Sequence, residues 1–215
     1  MSELIRDTAT SDNPSTPPED EFITAARERL EEAETRDRDE RLLCLDDLKF
    51  YVIKRGDRYG VRVKDPRSAM LAEFDGLDYY PVEAAYRIEA RWVTYDEPKE
   101  LDLATAVGTV QTMLVPGRAE FELDGERLSL EPMLGSLEDE SYFFLMRDKT
   151  SGKETYGAGR YLYTESPQDG RIVLDFNKAY NPPCVFTPYA TCPLPPPQNR
   201  LEIRIEAGEK DYGHS

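Results

Sequence analysis

The sequence predicts a mainly β fold, an antiparallel sandwich or a partly closed barrel, with one N-terminal helix and a long proline-rich loop. Three observations predict it. Apolar and polar residues alternate over short runs, turn-forming dipeptides punctuate those runs, and seven prolines crowd the stretch between Asn181 and Asn199.

The elements follow in chain order. Residues 1–18 are rich in Ser, Thr, Asp and Pro, have no apolar period and end in Pro17-Pro18, which reads as a disordered acidic leader. Residues 19–40 place Phe22, Ala25, Ala26, Leu30 and Ala33 at helical spacing among Glu and Arg, which predicts the N-terminal helix. Residues 41–215 form a single β-rich domain. Strands are expected at Leu48 to Lys54 and Arg58 to Lys64 around the turn Arg55-Gly56-Asp57. Alternation continues from Tyr86 to Tyr95, and Ala119 to Leu123 and Arg127 to Leu130 flank the turn Asp124-Gly125. Further strands are expected at Glu100 to Leu103, Thr109 to Val115, Tyr142 to Arg147, Gly159 to Thr164, Arg171 to Asp175 and Leu201 to Glu206. The prolines after Asn181 preclude a helix or central strand, so that stretch is a loop, packed onto the body through Val185, Phe186, Tyr189 and Leu194.

Charge narrows the partners. With 43 acidic against 27 basic residues and a net charge of -16, the surface repels phosphate backbones and anionic lipid. Nucleic acid and membranes are therefore not expected partners, and a small molecule is. The oligomeric state has no signature. Acidic residues spread over the whole chain also fit a surface adapted to high salt, where self-repulsion is screened. No apolar run reaches the ~20 residues a membrane helix needs, and the polar N-terminus has no signal-peptide core, so a cytoplasmic location is expected. Three cysteines do not make a disulfide framework, and Cys44 reads as a small buried hydrophobe.

Chemistry is narrowed in the same way. His214 is the sole histidine and stands next to the last residue, which removes Ser/His/Asp and Cys/His catalysis and histidine-built metal sites. No metal is predicted and the cofactor is unknown. Tyr156-Gly-Ala-Gly159 lacks the spacing and following helix of a dinucleotide fingerprint. Cys184 and Cys192 have three readings: buried thiols in a packed loop, a reversible disulfide, or a thiolate nucleophile supported by Arg160, Lys178 or Arg200.

Candidate site residues gather in the segment 156–210. Asp175 and Asn177 lie two apart at a strand end and point to one side, where they could bind a polar ligand together with Asn181, or else satisfy backbone donors in a turn. Phe176, between them, faces the core. Arg160 follows Gly157-Ala-Gly159, where backbone can approach closely, and its guanidinium could fork onto an anion or pair with Asp175. Tyr161, Tyr163, Tyr180 and Tyr189 supply phenols for a pocket wall or for packing.

The runs Tyr156-Gly-Ala-Gly-Arg-Tyr161, Leu174-Asp-Phe-Asn-Lys-Ala-Tyr-Asn-Pro-Pro-Cys184, Thr187-Pro-Tyr-Ala-Thr-Cys-Pro-Leu-Pro-Pro-Pro197 and Asn199-Arg-Leu201 through Glu206-Ala-Gly-Glu-Lys210 resemble the domain-of-unknown-function family numbered 1684, found in bacteria and archaea. The resemblance is specific over Tyr156 to Lys210 and implies a shared C-terminal site without implying a reaction. The leading expectation is a domain that binds a small polar or anionic molecule between the strand end and the loop, through Arg160, Asp175, Asn177 and Asn181, with Tyr180 and Tyr189 as its apolar face. Two alternatives stand beside it. One is a histidine-independent hydrolase or isomerase with Asp175 as general base and Arg160 stabilising negative charge, and the other is a structural or protein-interaction domain.

Overall fold

The computed structural model describes residues 43–55, 58–105, 108 and 110–213. The leader and helix expected over 1–18 and 19–40, and His214, lie outside the described residues. Where one domain is expected over 41–215, the chain divides into two compact units, Met1–Pro66 and Arg67–Ser215.

In the first unit, strands β1 (Leu43–Leu45), β2 (Leu48–Arg55) and β3 (Arg58–Lys64) form an antiparallel sheet in that order. Cys44 is exposed and not the buried hydrophobe expected, because β1 is a three-residue edge strand paired on one side only.

The second unit is mainly β, and its named strands all pair antiparallel. Strands β4 (Arg87–Ala104), β5 (Val110–Leu123), β6 (Glu126–Leu130) and β9 (Arg171–Asp175) make a sheet in the order β6-β5-β4-β9, and β7 (Ser141–Met146) pairs with β8 (Arg160–Glu165). Both sheets are open, so there is no closed barrel. The turn chemistry reads as expected: Asp124 and Gly125 join β5 to β6 with φ of 53° and 78°, the left-handed pair that matches strand twist in a two-residue hairpin.

Two pairs of expected strands are fused. The strands expected at Tyr86–Tyr95 and Glu100–Leu103 are covered from Arg87 on by one β4, and those expected at Thr109–Val115 and Ala119–Leu123, from Val110 on, by one β5. A bulge explains why they look separate in sequence. Thr94 pairs with Gly117 and Lys99 with Val115, so four β4 residues stand against Pro116 alone. Prolines on both strands, Pro98 and Pro116, make an unpaired bend cheap there. Gly117 is the corner, since a Cβ at that position would collide with the Val93 carbonyl and the Trp92 ring.

The bend lets one ribbon cover both faces of β7–β8. Phe144, Met146 and Leu162 join Ala90, Ala119, Phe121, Ile172, Leu174 and Phe176 in one apolar cluster. Leu145 and Tyr161, the alternating positions, join Leu103, Met113, Val115, Ala190 and Cys192 in another. Period-two alternation thus sends consecutive residues of β7 into two different cores.

No strand forms at Leu201–Glu206. That segment runs beside β7 in irregular conformation: the Arg147 N–H donates to Asn199 O (3.0 Å), the Leu201 N–H to Arg147 O (2.7 Å) and the Lys149 N–H to Ile203 O (2.8 Å). The next donor, the Ile205 N–H, goes to the Asp148 carboxylate at 3.1 Å, so a side chain takes over the ladder. The loop between Asn181 and Asn199 is irregular as expected, with single helical turns at Pro183–Val185 and Pro197–Asn199. Its packing differs from expectation. Phe186 packs on Phe74 and Tyr212, but Tyr189 and Leu194 are exposed, and Ala190 and Cys192 fill the interior instead.

Candidate functional site at the Pro-rich loop

Arg160 opens β8 after Gly159, whose φ is +104° and where an added Cβ would collide with the Met146 carbonyl and come within 2.8 Å of Pro195 Cγ, so there is no room for a side chain. The Arg160 guanidinium does not meet Asp175. It is 1% exposed, and Nη2 donates to Asp148 Oδ2 and to Ile205 O, each at 2.9 Å. Nη1 donates to the carbonyls of Ala207 and of Glu209. Asp148, equally buried, accepts from the Thr150 N–H and hydroxyl through Oδ1 and from the Ile205 N–H through Oδ2. A fully desolvated cation whose donors are taken by one carboxylate and three carbonyls has no accessible face for a ligand or a developing negative charge.

Asp175 ends β9 and Asn177 lies in the helical turn Phe176–Lys178, so strand alternation does not relate them, and they turn to each other: Asn177 Nδ2 donates to Asp175 Oδ1 at 3.0 Å and to Glu83 O at 3.0 Å, while the Glu83 N–H donates to Asn177 Oδ1. Lys178 lies 3.8 Å from Asp175 Oδ2. Asn177 thereby mimics a strand neighbour for Glu83. Phe176 is fully buried, as its alternation requires. Asn181 serves the same purpose nearby. Its N–H donates to Glu209 Oε2 (2.7 Å) and its Nδ2 to Lys210 O (2.7 Å), while Tyr79 donates to Glu209 Oε1. Glu209 is buried by this clasp.

Sequence reasoning missed two groups. Asp148 is one; its signal is Asp148-Lys-Thr-Ser-Gly152, a side chain capping the N–H two residues on. The other surrounds Glu131, which follows β6 with its side chain 12% exposed. It accepts from the Tyr95 hydroxyl, from Lys99 Nζ (3.2 Å) and from Gln198 Nε2 (2.8 Å). Lys99 also sits 3.8 Å from the centre of the Tyr95 ring. The bulge brings Tyr95 and Lys99 here, and buried Asn199 fixes Glu131 through its backbone N–H (2.8 Å) and carbonyl (2.7 Å) while also bonding Leu145 O. Burial pushes the Glu131 carboxyl up, but its three donors outweigh burial and hold it below the ordinary 4.5.

The tyrosines divide. Phe143, Tyr163 and Tyr180 stand in a row, with centroids 4.8 Å and then 6.3 Å apart and planes 29° and 14° from parallel. Tyr161 meets Phe143 and Tyr180 edge-on at 4.8 and 5.8 Å. Burial pushes the Tyr161 and Tyr180 phenols up, so both stay protonated. Tyr163 is 53% exposed, and Tyr189, 70% exposed, is outside the row. Cys184 and Cys192 lie together behind it, the Cys184 N–H donating to Cys192 Sγ at 3.3 Å.

All of these groups of the second unit fall within residues 72–210, which match the family model described as "Protein of unknown function (DUF1684)". The chain belongs to the DUF1684 family. The match reaches well upstream of the Tyr156–Lys210 segment and takes in β4–β7. An uncharacterized protein of Haloarcula marismortui, known from a solution NMR structure, is 37% identical to this DUF1684 chain, with a TM-score of 0.56 over 67% of this chain and 81% of the other. No curated protein matches the chain. Among the described residues no group of three or more His, Cys, Asp or Glu is placed to hold a metal ion, and no helix is long and apolar enough to cross a membrane.

Arg160→Met strands Asp148 in the interior and is expected to cost about 3–5 kcal/mol of stability, read from urea denaturation; a loss under about 1 kcal/mol would contradict the buried-pair assignment. Replacing Asp148 by Leu in that background recovers only part of the loss, since Thr150 and Ile205 still lack their acceptor. For Glu131 the folded pKa lies below the unfolded one, so its contribution is full above the unfolded pKa and fades as pH falls through the folded one. Glu131→Gln therefore flattens the acid limb of the stability–pH curve; an unchanged limb would show that the three donors do not favour the carboxylate.

Proposed function

We propose that the Arg67–Ser215 unit binds a small polar molecule with a flat ring face on the Phe143–Tyr163–Tyr180 row beside the Pro-rich loop. One observation carries the reading: Tyr163 is more than half exposed although its ring is flanked by two near-parallel neighbours. An exposed aromatic side chain normally keeps rotameric freedom and loses it on binding. Here stacking has already fixed it, which lowers the ordering cost for a ligand. Among the described residues neither the Tyr163 nor the Tyr180 hydroxyl has a hydrogen-bond partner, so both phenols can bond the ligand's polar edge. With Arg160 spent on protein acceptors and the chain at -16, a neutral polar ligand fits better than an anion. Asp175, engaged by Asn177 and Lys178, is poorly placed to act as a general base, which favours binding over hydrolysis or isomerisation.

A thermal-shift panel of monosaccharides and nucleosides tests this. At least one raises the melting temperature of the wild type, Tyr163→Ala weakens that ligand by roughly tenfold, about 1.4 kcal/mol of stacking, and Tyr189→Ala leaves it unchanged. A panel without any shift, or equal effects of the two substitutions, sinks the reading.

The acidic surface supports a cytoplasm of high salt as the working environment, where the Debye length drops to ~3 Å at about 1 M and like charges cease to repel. The urea midpoint is then expected to rise steadily from ~0.1 M to ~2 M KCl. A midpoint independent of KCl would mark an ordinary acidic surface.

A further inference from the structure

Cys184 and Cys192 bracket the tip of the Pro-rich loop; a local turn holds the first end of that bracket, and the second is tied to the body. At its start, the Val185 and Phe186 N–H groups donate to Pro182 O and Pro183 O in a single helical turn. After it, Pro193 bridges Thr105, and the Leu194 N–H donates to Ala104 O. Between them the Cys184 N–H reaches Cys192 Sγ at 3.3 Å, and the two thiols share a hydrogen bond. The pair is asymmetric. Cys192 is buried, whereas Cys184 is only partly covered.

Two phenols complete the chain of groups, Tyr156 at Cys184 and Tyr161 at Cys192, the latter also donating to Pro193 O at 3.4 Å. The hydrogen bond from Cys192 and burial hold the Cys184 thiol well above its ordinary value, against the opposing pull of Tyr156. This environment keeps the Cys184 thiolate a minor species at neutral pH, so its reactions are slow there, and leaves juxtaposition as the distinctive property of the pair.

We propose that Cys184 and Cys192 are a modification site, closing into a reversible intrachain disulfide by exchange with a low-molecular-weight disulfide. The Cys184 thiolate attacks one sulfur of the small disulfide RSSR, giving the mixed disulfide Cys184–S–S–R and releasing RS⁻. The Cys192 thiolate then attacks Cys184 Sγ and expels the second RS⁻. The two thiol protons leave to solvent and are taken up by the two released thiolates, so two protein thiols are oxidised by two electrons while RSSR is reduced to two RSH. Order follows from exposure, since an external disulfide reaches Cys184 and not buried Cys192. The product covalently ties the loop base that packs behind Tyr161 and Tyr180. Formation requires a thiolate and so speeds up with rising pH. This site stands independently of the ligand proposed above.

The test uses the full chain carrying Cys44→Ser, which removes the exposed third thiol, incubated folded with oxidised glutathione. Expected are loss of two hydrogens from the intact mass, a Cys184–Cys192 cross-linked peptide after digestion, restoration by dithiothreitol, and a rate about tenfold higher per pH unit below the thiol pKa. Adding Cys192→Ser should convert the product into a lasting glutathione adduct on Cys184. A lasting adduct without Cys192→Ser, or thiols that react only in urea, would overturn the proposal.

Discussion

The second unit depends on how the Arg160 guanidinium is neutralised. A cation with its side chain almost wholly out of water is tolerable only if nearly every donor finds an acceptor, and here one carboxylate and three carbonyls supply them. Those carbonyls belong to Ile205, Ala207 and Glu209, alternate residues of a segment that forms no strand. The cation substitutes for a neighbouring strand. Asp148 completes the substitution by accepting the Ile205 N–H, so the pair satisfies donor and acceptor on an edge that would otherwise be raw.

The same device recurs along the segment at smaller scale. Asn199 bonds Glu131 and Leu145, Asn181 bonds Lys210, and Asn177 bonds Glu83 on both its donor and acceptor sides. Each amide side chain stands where the backbone has left a ladder, and each joins segments far apart in sequence. Most polar residues of the family signature are therefore spent on holding irregular chain, which leaves the exposed aromatic row, and not the charged residues, as the place where we propose a ligand binds.

Much of the fold was legible because its signals are local. Period-two alternation located β2, β3, β7, β8 and β9 to within a residue or so of their ends, and Asp124-Gly125 marked its hairpin. The bulge at Tyr95–Pro98 was not legible, since a bend breaks alternation in the same way that a loop does. The strand expected at Leu201–Glu206 failed for the reverse reason: its alternation is real, with Leu201 and Ile205 buried, but the ladder partner is a side chain. The site was half legible. The nearness of Asp175 to Asn177 follows from their two-residue separation, though not from strand alternation, and Tyr161, Tyr163 and Tyr180 come together while Tyr189 does not, whereas the Arg160 partner, Asp148, sits in a turn twelve residues upstream that carries no charge pattern to announce it. Glu131 was hidden similarly, because only folding brings Tyr95, Lys99 and Gln198 to it.

Native-state hydrogen exchange of individual amides tests most directly whether this buried ion pair holds the C-terminal segment as firmly as a sheet would. The Ile205, Leu201 and Glu209 N–H groups, bonded to Asp148, Arg147 and Ala179, should exchange only with the same opening free energy as the β7–β8 amides of the paired residues Phe144 and Leu162. Exchange of those three amides at the rate of exposed loop amides, with β7–β8 still protected, would contradict it.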